Sequence, residues 1–287
     1  MPELPEVETV RRGLARVVTG WSITGVVVAN PKVLRGQLPE TLRERLLGRR
    51  IQQIDRRGKY LLVRLSPALC SFEPLSLCIH LKMRGQMMVE PEDSEPGKYH
   101  CVTIVVRGED PAKAACLRFY DAWTWGELRA LYESELASSV PALAQMGPEP
   151  LTDDWTGAVL GQTLAKRRTA IKPTLLDQKV VAGVGNIYAD EALYRSRIHP
   201  QRVAGSLTPD EVNRLADAVK TILTEAVEGG GTTSENFFDV AGDAGRYEPQ
   251  VYERGGLPCR HCAAVLTRIR LAGRSAVFCE SCQPLTR

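Results

Sequence analysis

The sequence lacks the features of membrane, secreted and low-complexity proteins. It has no run of 18 or more apolar residues, which excludes an ordinary membrane-spanning helix. Its first residues are acidic and contain no apolar segment, so we expect no secretory signal peptide. Internal repeats are also missing, and 287 residues with 44% hydrophobic and 25% charged side chains are typical of a globular protein of about two domains. We expect a cytoplasmic enzyme or binding protein.

An excess of charge of one sign is also missing, because 37 basic residues against 34 acidic ones leave a net charge of only +3. The basic residues are nevertheless concentrated in three stretches, 43–64, 166–172 and 258–287. Any one stretch alone is more simply explained as a solvated surface. Three that fold together can line a groove for a polyanion, so the distribution is compatible with a nucleic-acid partner.

The eight cysteines form two groups. The first group is scattered through apolar, strand-like sequence, and we expect its members to be reduced thiols in the core: Cys70, Cys78, Cys101 and Cys116. The second group forms two Cys-x2-Cys pairs that are 16 residues apart: Cys259, Cys262, Cys279 and Cys282. This spacing is typical of a zinc ribbon, and four sulfur ligands leave no open position on the metal. We therefore predict one structural Zn²⁺, and the arginines between the pairs favour nucleic-acid contact.

The hydrophobic pattern predicts a β-rich first half and a helical second half. Residues 5–19 have the spacing of an amphipathic helix, residues 21–120 contain strand-like runs, and residues 126–137 look helical. Three prolines and a glycine within 140–150 mark the best domain boundary. Beyond it, Thr208 begins a capping box that opens a long helix. These features predict a sandwich or barrel followed by helices.

Two glycine-rich segments lie in the second half. Residues 180–186 resemble the start of a dinucleotide-binding motif, but Tyr188 replaces its third glycine and no repeated βαβ pattern surrounds it, so we reject that interpretation. A turn that opens a helix remains, and its backbone N–H groups, together with Asn186, can hold a phosphate. The second segment, 229–234, lacks the ending of a nucleotide-binding loop and predicts a mobile loop.

Four blocks that occur in order make the chain similar to one family. They are MPELPEVET at 1–9, RGKYLL at 57–62, GVGNIYADE at 183–191 and the terminal four-cysteine finger. Together they resemble the bacterial formamidopyrimidine-DNA glycosylases, which remove oxidised purines such as 8-oxoguanine from DNA. The resemblance covers nearly the whole chain.

The resemblance implies an α+β fold in four parts. We expect a β-sandwich-like catalytic domain with flanking helices over 1–137 and a linker over 138–150. A helical DNA-binding domain of the helix-two-turns-helix type is expected over 151–250, and a zinc-finger β-hairpin over 251–287.

The resemblance also implies a catalytic set. Removal of Met1 exposes Pro2, whose amine, with a reference pKa of about 7.7–8.0, is partly neutral near pH 7 and attacks C1′ of the damaged nucleotide. Glu3 is then the general acid/base that protonates the sugar ring oxygen. Lys59 binds phosphate and assists proton transfer. Arg274 clamps the flanking phosphates and assists the second of two eliminations, which cut the strand on both sides of the lesion.

The family rotates its target nucleotide out of the duplex, because C1′ and the base edge are unreachable in the stack. Met83 matches the family's void-filling methionine. Residues 229–247, which we call the capping loop, match the segment that closes over the extruded base. Arg168 and Asn186 match phosphate-contacting positions, and Lys172 is expected near the base pocket.

The chain departs from the family pattern at two places. Residues 121–126 read DAWTWG where the family has an Arg-Arg-Phe-Gly-like stretch. Trp125, beside Trp123, can replace the wedging phenylalanine, but no arginine remains there to bond the opposite cytosine. At the second place an ungapped alignment puts Tyr99 at the position of a phosphate-contacting histidine, and we favour the adjacent His100 for that contact.

Two alternatives remain open. The first is an endonuclease VIII-like glycosylase for oxidised pyrimidines. Leu4 argues against it, because that branch commonly has glycine at this position, but the absence of an arginine from residues 121–126 leaves this alternative open. A zinc-ribbon protein that binds damaged DNA without catalysis is disfavoured by the intact catalytic set. In each case the partner is double-stranded DNA. The chain has no oligomer-forming heptads and is expected to be a monomer in the bacterial cytoplasm, at the nucleoid.

Overall fold

The computed structural model describes residues 2–67, 73–110, 112–233 and 237–285. The chain forms two compact units, one of Met1–Ala144 with Gly230–Arg246 and one of Gln145–Gly229 with Tyr247–Arg287. The division after residue 144 falls inside the segment expected to be a linker. Residues 230–246 belong to the first unit because Phe237 and Val240 lie in its hydrophobic core. The four-part division predicted from the sequence therefore differs from these units and stays a prediction.

The part of the first unit that the structure describes contains two antiparallel four-stranded sheets. Their orders are β1-β6-β7-β5 and β2-β3-β4-β8, and side chains from both sheets share one buried apolar cluster. This arrangement confirms the expected sandwich-like fold. The strands are β1 Ser22–Val28, β2 Ile51–Arg57, β3 Tyr60–Leu65, β4 Leu75–His80, β5 Gln86–Glu90, β6 His100–Arg107, β7 Ala114–Tyr120 and β8 Glu127–Tyr132. The helices are α1 Leu4–Val18, α2 Pro39–Leu46, α3 Glu133–Ser139 and α4 Pro141–Ala144.

Helix α1 confirms the helix predicted over 5–19. Val7, Val10 and Leu14 are spaced to lie along one face, and all three are buried in the core of the unit. Proline is tolerated in the first turn, so Pro5 does not disturb the helix.

The helix predicted over 126–137 is wrong in its first half. Glu127–Tyr132 is strand β8, paired antiparallel with β4, and only Glu133–Ser139 is helical. The letters ELRALY suit a helix, but Leu128 and Ala130 alternate into the buried core when the segment joins the sheet. Pairing with β4, which is distant in sequence, therefore outweighs local propensity.

The core thiols are confirmed where the structure describes them. Cys78, Cys101 and Cys116 are buried and unpaired by disulfides. Burial raises the pKa of the Cys78 thiol to about 12, which makes it inert near neutral pH. Cys70 lies outside the described residues.

In the described residues, the second unit combines four α-helices with a β-hairpin. Thr208 Oγ1 accepts from the Glu211 N–H at 3.3 Å and Glu211 Oε2 from the Thr208 N–H at 2.8 Å, which confirms the capping box. The long helix that follows ends directly before Gly229. The helices are α5 Gly157–Leu164, α6 Ile171–Leu176, α7 Asn186–Ser196 and α8 Pro209–Glu228, and the hairpin strands are β9 Thr267–Leu271 and β10 Arg274–Phe278. Among the described residues no helix is both long and apolar enough to cross a membrane.

Candidate functional site

The first candidate residues stand at the buried beginning of α1. Pro2 and Glu3 are buried, and Glu3 is the N-cap of the helix. The Glu3 N–H donates to Glu6 Oε2 at 2.8 Å, and Glu6 Oε1 accepts from the Thr232 N–H at 2.9 Å. The Glu6 carboxylate therefore joins the N-terminal turn to the beginning of the capping loop. The sequence analysis missed this role, because residues 6 and 232 are far apart in the chain.

Lys59 lies in the turn between β2 and β3. Arg57 pairs with Tyr60, which leaves a two-residue turn of Gly58 and Lys59. Gly58 has a φ of +54°, a value that glycine adopts without strain and that such tight turns require. The Arg56 guanidinium donates to the Gly58 carbonyl at 3.1 Å, so a side chain that is only 9% exposed braces the turn that presents Lys59.

Glu8 connects this hairpin to α1. Its carboxylate accepts from Arg11 and Arg12 at 2.9 Å and from Arg56 at 3.1 Å. Burial alone opposes ionisation, but the hydrogen bonds from Arg11 and Arg12 and the charges of Arg11 and Arg56 outweigh it and lower the pKa of Glu8 to about 2. The ionised Glu8 thereby fixes the Lys59 turn to the helix that carries Pro2 and Glu3.

Met83, Trp123 and Trp125 lie in two neighbouring turns of the sandwich. Residues 81–85 join β4 to β5, and residues 121–126 join β7 to β8. Because β4 pairs with β8 and β5 pairs with β7, both turns cross between the sheets at the same edge. The turns that carry the predicted void-filling and wedging residues therefore lie side by side.

The tryptophan turn is held by one buried carboxylate. Asp121 accepts from the Trp123 N–H at 2.9 Å and from the Gly126 N–H at 2.6 Å. The two indole rings meet edge to face with their centroids 5.0 Å apart. As whole residues, Trp123 is 44% exposed and Trp125 is 54% exposed. Large aromatic rings with this exposure are available to stack on a nucleic-acid base.

Tyr99 and His100, the two candidates for one phosphate contact, have different surroundings. His100 Nε2 lies 2.7 Å from Thr103 Oγ1, and burial lowers the pKa of the imidazole, which favours its neutral form. The Tyr99 ring is half-exposed and lies under the ammonium of Lys98 at 4.7 Å. A phosphate contact by His100 stays a prediction.

The described part of the capping loop is anchored in the first unit. Phe237 and Val240 are buried, and the Val240 carbonyl accepts from the Val89 N–H at 2.9 Å. Asp239 Oδ1 accepts from the N–H groups of Ala241 and Asp243 and closes the turn beyond. Residues 234–236 lie outside the described part of the chain.

The second unit presents Asn186 at the beginning of α7. Gly185 is the N-cap, and Gln178 braces the preceding turn by accepting from Gly183 at 2.9 Å and donating to the Val184 carbonyl at 2.8 Å. The Asn186 side-chain oxygen is buried and has no hydrogen-bond partner among the described residues. The sequence-based expectation of a helix opened by this turn is confirmed. Arg168 is exposed in the segment between α5 and α6.

Lys172 is held inside the second unit. Its side chain is 1% exposed, its ammonium lies 2.7 Å from Asp190 Oδ1, and it donates to the Ser275 carbonyl. Asp190 Oδ2 also accepts from the Val277 N–H at 3.2 Å. This buried pair ties α6 and α7 to strand β10 of the hairpin. A direct DNA contact by Lys172 remains a prediction.

The four C-terminal cysteines converge on one point. Their sulfur atoms all lie within 4.8 Å of one another, with Cys262 to Cys279 at 3.4 Å and Cys259 to Cys282 at 3.9 Å. Tetrahedral Zn²⁺ with Zn–S bonds of about 2.3 Å separates its sulfur ligands by about 3.8 Å, so the cluster fits the ion. The Tyr194 hydroxyl lies 3.1 Å from Cys259 Sγ and completes the sulfur environment.

Arg274 begins strand β10 at the tip of this hairpin. It pairs with Leu271 across a two-residue turn of Ala272 and Gly273, and its side chain is exposed. Arg268 and Arg270 on the opposite strand are also exposed. The metal-stabilised hairpin therefore presents several guanidinium groups, which bind phosphate well.

Comparisons with known proteins identify the family of the chain. Family models match in three segments: the formamidopyrimidine-DNA glycosylase N-terminal domain at residues 1–128, the H2TH domain of the same glycosylases at 146–237, and a zinc finger found in FPG and IleRS at 256–285. The zinc-finger match and the sulfur geometry confirm the predicted structural Zn²⁺ site.

Relatives that match over the full length of the chain belong to the same glycosylase family. A formamidopyrimidine-DNA glycosylase of Desulfitobacterium hafniense is 42% identical over 286 residues, covering 99% of this chain and 100% of the relative. A structure of MutM in complex with DNA containing carbocyclic 8-oxo-G is 32% identical, with a TM-score of 0.87 and coverage of 99% and 100%. A complex between Lactococcus lactis Fpg and DNA with an abasic site is 32% identical, with a TM-score of 0.86 and the same coverage.

Proposed function

The chain belongs to the formamidopyrimidine-DNA glycosylase family, and from this premise we propose that it removes 8-oxoguanine and formamidopyrimidines from duplex DNA. It is a base-excision repair enzyme, both a DNA glycosylase and an abasic-site lyase. Full-length similarity to a named glycosylase and to proteins solved with 8-oxo-G and abasic DNA supports this function. The observation that carries the catalytic proposal is the buried Pro2-Glu3 pair at the beginning of α1.

In the proposed reaction the Pro2 nitrogen attacks C1′ and the N-glycosidic bond breaks. The base leaves with the bonding electrons and takes up a proton. Next, the C1′–O4′ bond opens as Glu3 gives a proton to O4′, and an iminium forms between the proline nitrogen and C1′. Loss of a C2′ proton expels the 3′ phosphate, a second elimination expels the 5′ phosphate, and water hydrolyses the iminium to restore Pro2.

In this proposal, cationic and amide side chains of both units bind the DNA phosphates. Lys59 belongs to the first unit, and Arg168, Asn186 and Arg274 belong to the second. All of them offer N–H donors, and guanidinium groups bind phosphate in a bidentate manner. The zinc ion has four sulfur ligands and no open position, so it stabilises the hairpin that carries Arg274 and takes no part in the chemistry.

The extruded nucleotide leaves a gap in the duplex, which Met83 and Trp125 fill in our proposal. Both stand on turns at one edge of the sandwich, where an apolar side chain and an aromatic ring can replace a lost stacking partner. Unstacking costs a few kcal/mol, and it is least for a damaged base. Gap filling therefore lowers the barrier to extrusion.

Borohydride trapping tests the proposal directly. Borohydride reduces the iminium to a stable amine, so a duplex with 8-oxoguanine should give a covalent adduct whose attachment maps to residue 2. Undamaged duplex is the matched control. Intact binding without an adduct on any lesion would instead support the damage-binding alternative, and trapping on oxidised pyrimidines alone would support the endonuclease VIII-like alternative.

The DNA substrate also determines where the protein acts and what it binds. The protein acts on double-stranded DNA, and we propose that it does so as a monomer at the nucleoid, within the bacterial cytoplasm. Mass measurement of the complex on a lesion duplex tests this stoichiometry, and a two-to-one complex would contradict it.

A further inference from the structure

Arg84 lies beside Met83 in the turn over residues 81–85, and no role was assigned to it from the sequence. Its guanidinium carbon lies 5.2 Å from the centroid of the Trp123 ring, in cation–π contact. Trp123 in turn packs edge to face against Trp125 at 5.0 Å. We call Arg84, Trp123 and Trp125 the arginine–tryptophan cluster.

The two turns that carry the cluster are braced. In the first turn, the Lys82 N–H donates to His80 Nδ1 at 2.9 Å and the Gly85 N–H to the Leu81 carbonyl at 2.9 Å. The Lys82 ammonium lies 2.7 Å from Glu127 Oε1 on the neighbouring strand β8. The turn backbone is therefore held in place, which lowers the ordering cost of binding at its tip.

The second turn is braced as firmly. Asp121, which is buried, accepts from two backbone N–H groups of its own turn, as described above. The Arg35 guanidinium donates to the Trp125 carbonyl from outside the turn. Trp123 thus stands on a braced turn, with the Arg84 guanidinium carbon over its ring.

We propose that this cluster receives the base opposite the lesion and that Arg84 reads its Watson–Crick edge. This inference rests on the proposed function, because a base loses its partner only when the lesion is extruded. The exposed indole rings provide a stacking surface for that base. Arg84 supplies, from the turn of Met83, the guanidinium that residues 121–126 lack.

The chemistry of the four bases makes Arg84 selective for cytosine. A guanidinium offers two parallel N–H donors, and cytosine presents two adjacent acceptors, N3 and O2. Adenine presents one acceptor beside an amino donor, thymine places N3–H between its carbonyls, and guanine presents two donors beside one acceptor. Only cytosine accepts both hydrogen bonds, so lesions opposite cytosine should be processed fastest.

Single-turnover excision of 8-oxoguanine opposite each of the four bases tests the inference. The variants are Arg84→Gln and Arg84→Lys. The matched control is Arg16→Gln, which replaces an exposed arginine on α1. We expect Arg84→Gln to slow excision opposite cytosine by about tenfold or more and excision opposite adenine by less than about threefold. Lysine keeps the charge without the paired donors, so Arg84→Lys should lose selectivity as well.

Two further measurements separate the possible failures. With the lesion opposite an abasic site, Arg84→Gln and wild-type protein should react at the same rate, because no base edge is left to read. A uniform slowing of all substrates by Arg84→Gln, or an unchanged cytosine-to-adenine ratio, would overturn the inference. The proposed function would survive either result, since it fails only if wild-type protein gives no borohydride adduct.

Discussion

At the scale of single residues, the proposed reaction depends on two neighbours with separate tasks. In that proposal Pro2 supplies the nucleophile and Glu3 the proton, and neither is required to hold the duplex. Replacing a general acid typically slows a reaction by 10²–10⁴-fold. Pro2→Gly and Glu3→Gln should therefore slow base removal by about 100-fold or more while the Kd for lesion DNA changes by less than about threefold. Single-turnover kinetics and fluorescence anisotropy measure the two quantities, and a parallel loss of affinity would contradict the division of tasks.

Glu8 supports a prediction about pH. Its pKa is about 2 in the folded chain against 4.5 ordinarily, so its stabilising contribution is complete above pH 4.5 and is lost as the pH falls towards 2. Glu8→Gln should therefore lower the free energy of unfolding by about 1–3 kcal/mol at pH 7, and by progressively less below pH 4.5.

Denaturant unfolding at several pH values measures the Glu8 effect. Glu40→Gln is the matched control, because Glu40 is 69% exposed and pairs with Arg43 at the surface, where ion pairs contribute little. Zinc loss at acid pH affects all these proteins alike and cancels in the difference between them. A Glu8→Gln deficit that does not change with pH would contradict the assignment.

At the scale of elements, α1 contacts the capping loop through a glycine. A Cβ atom on Gly13 would lie 2.5 Å from Val240 Cγ2, so the loop packs directly on the helix backbone. Gly13→Ala should cost about 1–3 kcal/mol through overpacking, which exceeds the gain of about 1 kcal/mol in helix propensity. Excision should slow with it, because the anchored part of the loop is displaced.

A double-mutant cycle measures the Gly13 effect. Val240→Ala removes the clashing methyl groups, so it should be less harmful in the Gly13→Ala background than in the wild type. Additive losses in the free energy of unfolding would show that the two residues do not compete for space.

Local patterns predicted the elements that depend on neighbouring residues alone. The apolar stripe of α1, the capping box of α8 and the spacing of the four cysteines are all complete within short segments. Strand β8 and the Glu6–Thr232 hydrogen bond were not predictable in this way. Both depend on partners far away in the chain, and in β8 those partners override a helix-like sequence.

At the scale of the whole molecule, the proposed catalytic and phosphate-binding residues come from both units, and their assignment rests on the family resemblance rather than on composition. A net charge of +3 does not indicate a DNA-binding protein, whereas the concentration of basic residues in three stretches is compatible with one. Arg274→Ala should reduce affinity for all duplexes and lower the slope of log Kd against log salt by about one. An unchanged slope would remove Arg274 from the phosphate contacts.

Removal of zinc should unfold the C-terminal hairpin and leave the sandwich of the first unit folded. Structural Zn²⁺ contributes roughly 10–16 kcal/mol to folding in small metal domains, and the hairpin has only a small apolar cluster of its own. Chelation should therefore unfold residues 258–283 and abolish DNA binding. Hydrogen exchange should show lost protection in β9 and β10 but retained protection in β3 and β4, whose sandwich holds no zinc ligand among the described residues. Zinc added back is the control and should restore binding. Retained affinity in fully zinc-free protein would mean that the hairpin folds, or is dispensable, without its metal.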